Sequence, residues 1–347
     1  MYIKKILMAI ALVGLAVAAY FAYFIYGAMF KQNTAFLNDT AYIQVPTNAK
    51  YEQVREQLVP LLKDIKSFDA LAERKKYTTN IKAGRFAIKK DMSNNDIINS
   101  IRSKNIPFKL SFNNQERIQN LAGRIAQQIE PDSLSVLKIM TDKTFMDKHK
   151  FTEATVLNMY VPNSYEVFWN TSAEGFRERM LKEYYRFWND KRQTKRKALN
   201  LTVNEVMTIA SIVQKETAKV DERPRVAGVY LNRIKKGMPL QADPTVIFAK
   251  KKTENDFDQI IKRVLFKDLE IDSPYNTYKY PGIPPGPITM PDVSAIDAVL
   301  NAESHNYYYF VANVKNFGYH KFAKTLSQHN ANRQEYVRWI NGQGVNR

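Results

Sequence analysis

Residues 202–217 read Thr202-Val203-Asn204-Glu205-Val206-Met207-Thr208-Ile209-Ala210-Ser211-Ile212-Val213-Gln214-Lys215-Glu216-Thr217. The opening Thr-x-x-Glu has the form of a capping box, so a helix should start at Thr202 and run on to about Lys219. Ile209, Ile212 and Val213 share one stripe of that helix, and its i+7 position is Glu216. A carboxylate there faces the protein body or a cleft rather than open water. Desolvation disfavours the anion, which is how a glutamate becomes a proton donor near neutral pH. The same placement also suits a glutamate that pairs with a cation where the helix emerges.

The segment that follows repeats the arrangement. Pro224 suits the first turn of a second helix and Gly237 its C′ position, bounding a helix of about thirteen residues. Its stripe is Val226, Val229 and Tyr230, and the i+7 position is Arg233, with the amide of Asn232 alongside. An Arg233–Glu216 pair would lower the glutamate pKa, so Arg233 is expected to serve structure or substrate instead. Three turn-like stretches come next: Leu240-Gln241-Ala242-Asp243-Pro244-Thr245-Val246, Ser273-Pro274-Tyr275-Asn276-Thr277-Tyr278 and Pro281-Gly282-Ile283-Pro284-Pro285-Gly286-Pro287. Aromatic rings interleaved with short amides and hydroxyls suit a carbohydrate groove, although each stretch is also ordinary turn chemistry. Tyr307 to Ala312 reads as a strand, Gly318 as a turn, and Tyr319 to Phe322 as a second strand with His320 at a sheet edge. His329-Asn330 opens the last helical stretch, where capping is the simplest role.

The chain has 347 residues, 45% hydrophobic and 25% charged, enough apolar material for about two globular units. The net charge of +18 points to anionic surroundings: phospholipid, nucleic acid or a carboxylate-bearing polymer. With no cysteine, thiol catalysis, disulfides and Cys-ligated metals are excluded, and four histidines with no HExxH pattern argue against a histidine metal site. Ile6 to Phe30 is a charge-free apolar run long enough to cross a bilayer. It continues through Tyr20, Phe21, Tyr23, Phe24 and Tyr26 without a cleavage site, so it is read as a retained anchor. Lys4 and Lys5 before it place the N-terminus in the cytoplasm and the rest outside, which moves nucleic acid well down the list of partners, so none is expected.

An α+β fold is expected, with a cytoplasmic tail (1–5), a transmembrane helix (6–30), a linker (31–40), a small α+β subdomain (41–107), a larger mixed catalytic domain (108–341) and a frayed tail (342–347). In the small subdomain, strands are expected at Ala41 to Val45 and Gly84 to Ile88. Pro60 should end or kink the helical stretch from Tyr51 to Ile65 near Val59, and Ser93 should cap a helix from Asn94 to Arg102. Such a unit is either a small binding module or a stalk.

The stretches around Glu216, Val229-Tyr230-Leu231-Asn232-Arg233, the three loops, Tyr309-Phe310-Val311-Ala312, His320-x-Phe322 and His329-Asn330 together resemble the YceG-like (MltG) endolytic murein transglycosylases. The resemblance covers nearly the whole chain, since Tyr42 to Lys104 resembles that family's LysM-like subdomain, and Pro162-Asn163-Ser164-Tyr165-Glu166 is a looser version of its Pro-Asp-Thr-Tyr element. It implies a bacterial, single-pass inner-membrane lyase that cuts peptidoglycan glycan strands without cofactor or metal, in association with cell-wall synthases. It also implies that Glu216 is the catalytic acid and then base, forming 1,6-anhydro-N-acetylmuramic ends. Gln214 stands where many members have glutamate, which argues that the earlier position is not the essential acid. The substrate-binding candidates are Ser211, Asn232, Arg233, Gln241, Asp243, Thr245, Tyr275, Asn276, Thr277, Tyr278, His320 and Phe322. Two other readings remain open: a glycoside hydrolase using Glu216 with Asp243 as base, and an inactive peptidoglycan-binding scaffold.

Overall fold

The computed structural model describes residues 2–342, and the chain divides into two units. One comprises the chain to Leu110 with residues 128–131 and 165–172; the other holds residues 111–127, 132–164 and everything from Ala173.

The first unit begins with the apolar helix α1 (Tyr2–Phe30), followed by β1 (Thr40–Val45), α2 (Tyr51–Leu58), α3 (Ile65–Arg74), β2 (Gly84–Lys89) and α4 (Asn94–Ser103). Among the described residues α1 is the one helix long and apolar enough to span a membrane, with a mean hydropathy of 2.3 over Tyr2–Tyr23. The two strands pair antiparallel from Thr40↔Lys89 to Val45↔Gly84. Their alternation sends Ile43, Val45, Phe86 and Ile88 inward onto Val54, Leu58 and Phe68 and onto Ile97, Ile98 and Ile101 of α4. Pro60 has the foreseen effect: α2 stops at Leu58 and a single 3₁₀ turn, Val59–Leu61, follows. Ser93 caps α4 in a capping box with Asp96.

Beyond β3 (Phe108–Phe112), which ends in the second unit, come α5 (Ile118–Ala126), α6 (Ser133–Met140), α7 (Lys143–Lys148), β4 (Asn163–Val167), α8 (Ala173–Phe187) and α9 (Asp190–Ala198). Then follow α10 (Val203–Glu216), α11 (Arg223–Lys235), α12 (Asp243–Thr253), α13 (Val293–Leu300), β5 (Tyr309–Ala312), β6 (His320–Ala323) and α14 (Leu326–Gly342). The core lies where α10, α11 and α13 meet, around Val206, Ile209, Val213, Val226, Tyr230, Ile296 and Val299. Gly228 lets the segment after α13 lie close against α11, since a Cβ there would collide with the Glu303 carbonyl and the His305 ring.

Several boundaries differ from the sequence reading. α10 ends at Glu216, because Thr217 turns extended at φ −137° and ψ 131°. Asp243-Pro244 opens α12 rather than a loop, since proline is as well suited to a helix's first turn as to a rigid loop. β5 starts at Tyr309, because the amide and carbonyl of Tyr307 are taken by His305 Nδ1 and Asn232. α14 starts at Leu326, ahead of His329. The expected C-terminal tail lies, past residue 342, outside the described residues.

Candidate active site

An open cavity of about 400 Å³ in the second unit collects Glu216, Tyr230, Arg233, Leu240, Gln241, Asp243, Tyr278, Tyr309, Phe310, Leu326, His329, Asn330 and Arg333. The Thr202–Glu205 capping box starts α10, and the Ile209–Ile212–Val213 stripe anchors it in the core, so its last residue, Glu216, emerges at the cavity wall. The C-terminal end of a helix is itself unfavourable for a carboxylate anion.

Burial is the main force on Glu216 and pushes its carboxyl up to about 7, with the Asp243 charge acting in the same direction. Tyr230, His320 and Arg233 act the other way, but less strongly. The Tyr230 hydroxyl donates to Glu216 Oε1 at 2.8 Å. Burial and the neighbouring glutamate hold Tyr230 well above the usual phenol range, so it remains a donor throughout neutral pH. Tyr230 Oη therefore fixes one carboxyl oxygen and leaves Oε2 as the other proton site.

Arg233 lines the cavity, yet its guanidinium is engaged: Nε donates to Tyr308 O at 2.7 Å, and Nη1 to Leu240 O at 2.7 Å and Pro239 O at 3.3 Å. It makes no ion pair with Glu216 among the described residues and instead ties the start of β5 to the loop before α12. Gln241 adopts the left-handed conformation at φ 47°, a strained backbone for a non-glycine residue and one often held at functional sites. The Tyr278 hydroxyl donates to Asp243 Oδ1 at 2.6 Å.

Of the sequence candidates, the structure brings Glu216, Arg233, Gln241, Asp243 and Tyr278 into this cavity. The others do not line it. Thr245 and Thr277 share a buried hydroxyl contact of 2.8 Å, and Thr277 Oγ1 accepts the Ala242 N–H at 3.0 Å, pinning two loops together. Asn276 is fully buried: its amide donates to the Leu269 and Ile271 carbonyls, while its Oδ1 accepts the Tyr278 N–H at 3.1 Å. Ser211 is buried and accepts the Ile288 N–H at 3.0 Å. Asn232 donates to the His305 and Tyr307 carbonyls, and Tyr275 packs its ring on Phe248 at 4.7 Å. Phe322 packs on Phe310 at 5.9 Å. His320 donates its backbone N–H to Glu222 Oε1 at 2.7 Å and contacts Glu222 Oε2 through Nδ1 at 2.8 Å. Its ring meets Phe310 edge-on at 5.0 Å, so His320 backs the cavity wall.

Sequence reasoning overlooked Tyr230 as a polar group, because its apolar ring completed the stripe of α11. It also overlooked Glu222 and the α14 face. The spacing of His329 and Arg333, one helical turn apart, was the available signal for that face. Among the described residues no cluster of three or more His, Cys, Asp or Glu could hold a metal ion.

The sequence model of the YceG-like family matches residues 43–335, a span that contains every cavity residue. The chain belongs to the YceG-like family. Similar YceG-like sequences include the endolytic murein transglycosylase of Bacillus subtilis, 29% identical over 317 residues that cover 86% of this chain and 85% of the relative. The endolytic murein transglycosylase of Streptococcus pneumoniae strain D39 is 28% identical over 333 residues, 86% of this chain and 59% of that longer protein. The crystal structure of a YceG-like protein from Listeria monocytogenes superposes with a TM-score of 0.57 at 27% identity, covering 84% of this chain and 98% of that one. The YceG-like fold thus carries the Glu216 cavity, while α1 precedes the matched span.

Proposed function

We propose that this protein is a membrane-anchored lytic transglycosylase of murein glycan strands, with Glu216 as its acid and then its base. The observation that carries the proposal is Glu216 itself: a carboxyl at a cavity wall, pushed up to about 7 by burial and held on Oε1 by a phenol. The names of two bacterial relatives, both endolytic murein transglycosylases, support the substrate class.

In this reading protonated Glu216 gives its proton to the glycosidic oxygen between N-acetylmuramic acid and N-acetylglucosamine as the C1–O bond breaks. The new carboxylate, stabilised by the Tyr230 hydroxyl, then takes the proton of the muramoyl C6 hydroxyl as O6 bonds to C1. A 1,6-anhydro ring closes, Glu216 is protonated again, and no water is consumed. One carboxyl suffices for both steps, unlike the pair that hydrolytic glycosidases use. The strained Gln241 and the Asp243–Tyr278 pair supply polar groups for the sugar hydroxyls and acetamido groups. In the same reading α1 spans the inner membrane with its N-terminus in the cytoplasm, and the first unit, with two helices between two antiparallel strands, is the LysM-like module.

The test is mass analysis of the products when the full-length protein in detergent meets purified uncrosslinked glycan strands, wild type beside Glu216→Gln. Ends of 1,6-anhydro-N-acetylmuramic acid that vanish in the variant are expected. Reducing ends would instead identify a hydrolase and turn attention to Asp243, and intact strands that still bind would identify a scaffold.

A further inference from the structure

The glycan backbone is uncharged except at the lactyl arm of each muramoyl residue, which ends in a free carboxylate or carries a short peptide with carboxylates of its own. Against that chemistry, the wall that α14 gives to the Glu216 cavity is cationic. It presents His329, Asn330 and, one turn beyond His329 on the same face, Arg333.

Among the described residues the basic side chains that line this cavity are Arg233, His329 and Arg333, and of these Arg333 is the one free to take an anion. Arg233 is spent on three backbone carbonyls and lies over the Tyr309 ring at 5.4 Å. His329 stacks on that same ring at 5.2 Å and 22°. Burial, followed by the charges of Arg233 and Arg333, holds the His329 imidazole below its ordinary pKa, and its Nδ1 is sealed off without a hydrogen-bond partner. Arg333 is exposed and has no hydrogen bond or ion pair among the described residues. The acid nearest to it in sequence, Glu335, is occupied by Lys321 at 2.6 Å. The carboxylate facing the same cavity, Asp243, is engaged by the Tyr278 hydroxyl. A free guanidinium at a cavity wall is a fork shaped for a carboxylate.

We propose that Arg333 is a specificity-determining residue that receives a carboxylate on the lactyl arm of the muramoyl residue beside the cleaved bond. This rests on the transglycosylase reading and deepens it. Two kinds of linkage alternate along the strand, and only one has a muramoyl C6 hydroxyl able to close the anhydro ring. An anion-binding group beside Glu216 holds the arm-bearing sugar in register, so that the productive linkage meets the acid.

The experiment measures the affinity of the full-length protein in the Glu216→Gln background, which requires no turnover, with and without Arg333→Gln. Three probes are used: uncrosslinked strands with intact peptides, strands stripped to the free lactyl carboxylate by an amidase, and intact strands whose carboxylates have been amidated with carbodiimide and ammonia. Amidation is expected to weaken binding about three- to tenfold, the range for a charge-assisted pair at a partly exposed site. Arg333→Gln should weaken binding to intact strands by a similar factor and erase the sensitivity to amidation. In intact strands the lactyl carboxyl is already the amide that carries the peptide, so stripped strands that bind like intact ones show that the site takes either carboxylate of the arm, and stripped strands that bind like amidated ones assign the carboxylates of the peptide alone. The proposal is overturned if Arg333→Gln leaves affinity for intact strands unchanged, or lowers it equally for intact and amidated strands. Charge-dependent binding through Arg333, together with wild-type protein that forms no anhydro ends, would sink the transglycosylase reading and leave the carboxylate site standing.

Discussion

Glu216 ends α10 and Glu222 stands at the start of α11, six residues apart, and their surroundings drive them in opposite directions. Burial pushes both upward. At Glu216 one phenol donates to the carboxyl and burial wins, so the group rests at about 7. At Glu222 the side chain and backbone N–H of His320 and the Thr217 hydroxyl outweigh burial and hold the carboxyl below its usual range. The depth of burial and the number of donors together decide which carboxylate can be a proton donor and which is a fixed anion.

The largest expected break in this comparison is Glu216→Gln, which should lower turnover by about 10²–10⁴-fold or more in a strand-cleavage assay while strand binding persists. Glu222→Gln should leave the acid itself in place and show its main effect on stability. Tyr230→Phe removes the donor that favours the Glu216 anion. Turnover should fall roughly 10–100-fold, and the alkaline limb of the pH–rate profile should move up rather than down.

Stability sharpens the contrast through its sign. A carboxyl raised in the folded state stabilises the fold below its unfolded pKa of about 4.3 and loses that contribution as pH rises through about 7. Glu216→Gln should therefore be more stable than wild type above pH 7, by roughly 3–4 kcal/mol in denaturant unfolding, with the difference closing toward about pH 4. Glu222 is lowered, so its contribution is present above about pH 4.3 and fades as pH falls through its folded value. Glu222→Gln should be less stable than wild type at neutral pH, by roughly 1–3 kcal/mol, and approach it in acid. The smallest effect belongs to Asp243→Asn. Removing that charge lets the Glu216 pKa fall, and the alkaline limb should move down by less than about one pH unit.

What could be read from the sequence was local. The capping box at Thr202, the Ser93 cap, the Pro60 break, and the Pro224 and Gly237 limits of α11 depend on residues within one turn of each other, and the structure shows each. The stripe argument placed Glu216 at a cavity wall because helical periodicity carries that information. Contacts between distant segments were not legible. The Glu222–His320 pair is separated by 98 residues and the Thr245–Thr277 pair by 32, and nothing in their spacing announces either. Tyr230 was hidden differently, since its ring satisfied the apolar pattern and its hydroxyl, which meets Glu216 across the helix pair, left no mark on the periodicity. Asn276, Thr277 and Thr245 looked like sugar ligands because short polar side chains suit groove and loop scaffold alike, and only the bonds they make tell the two apart.

The account's central claim is that Glu216 carries a proton near neutral pH and can return to that state in each cycle. Its most direct test is an isotope-edited infrared titration of the glutamate carboxyl band, wild type minus Glu216→Gln, in the full-length protein. A protonated band lost with a midpoint near pH 7 is the predicted result. A midpoint near pH 4.3, the ordinary glutamate value, would contradict it.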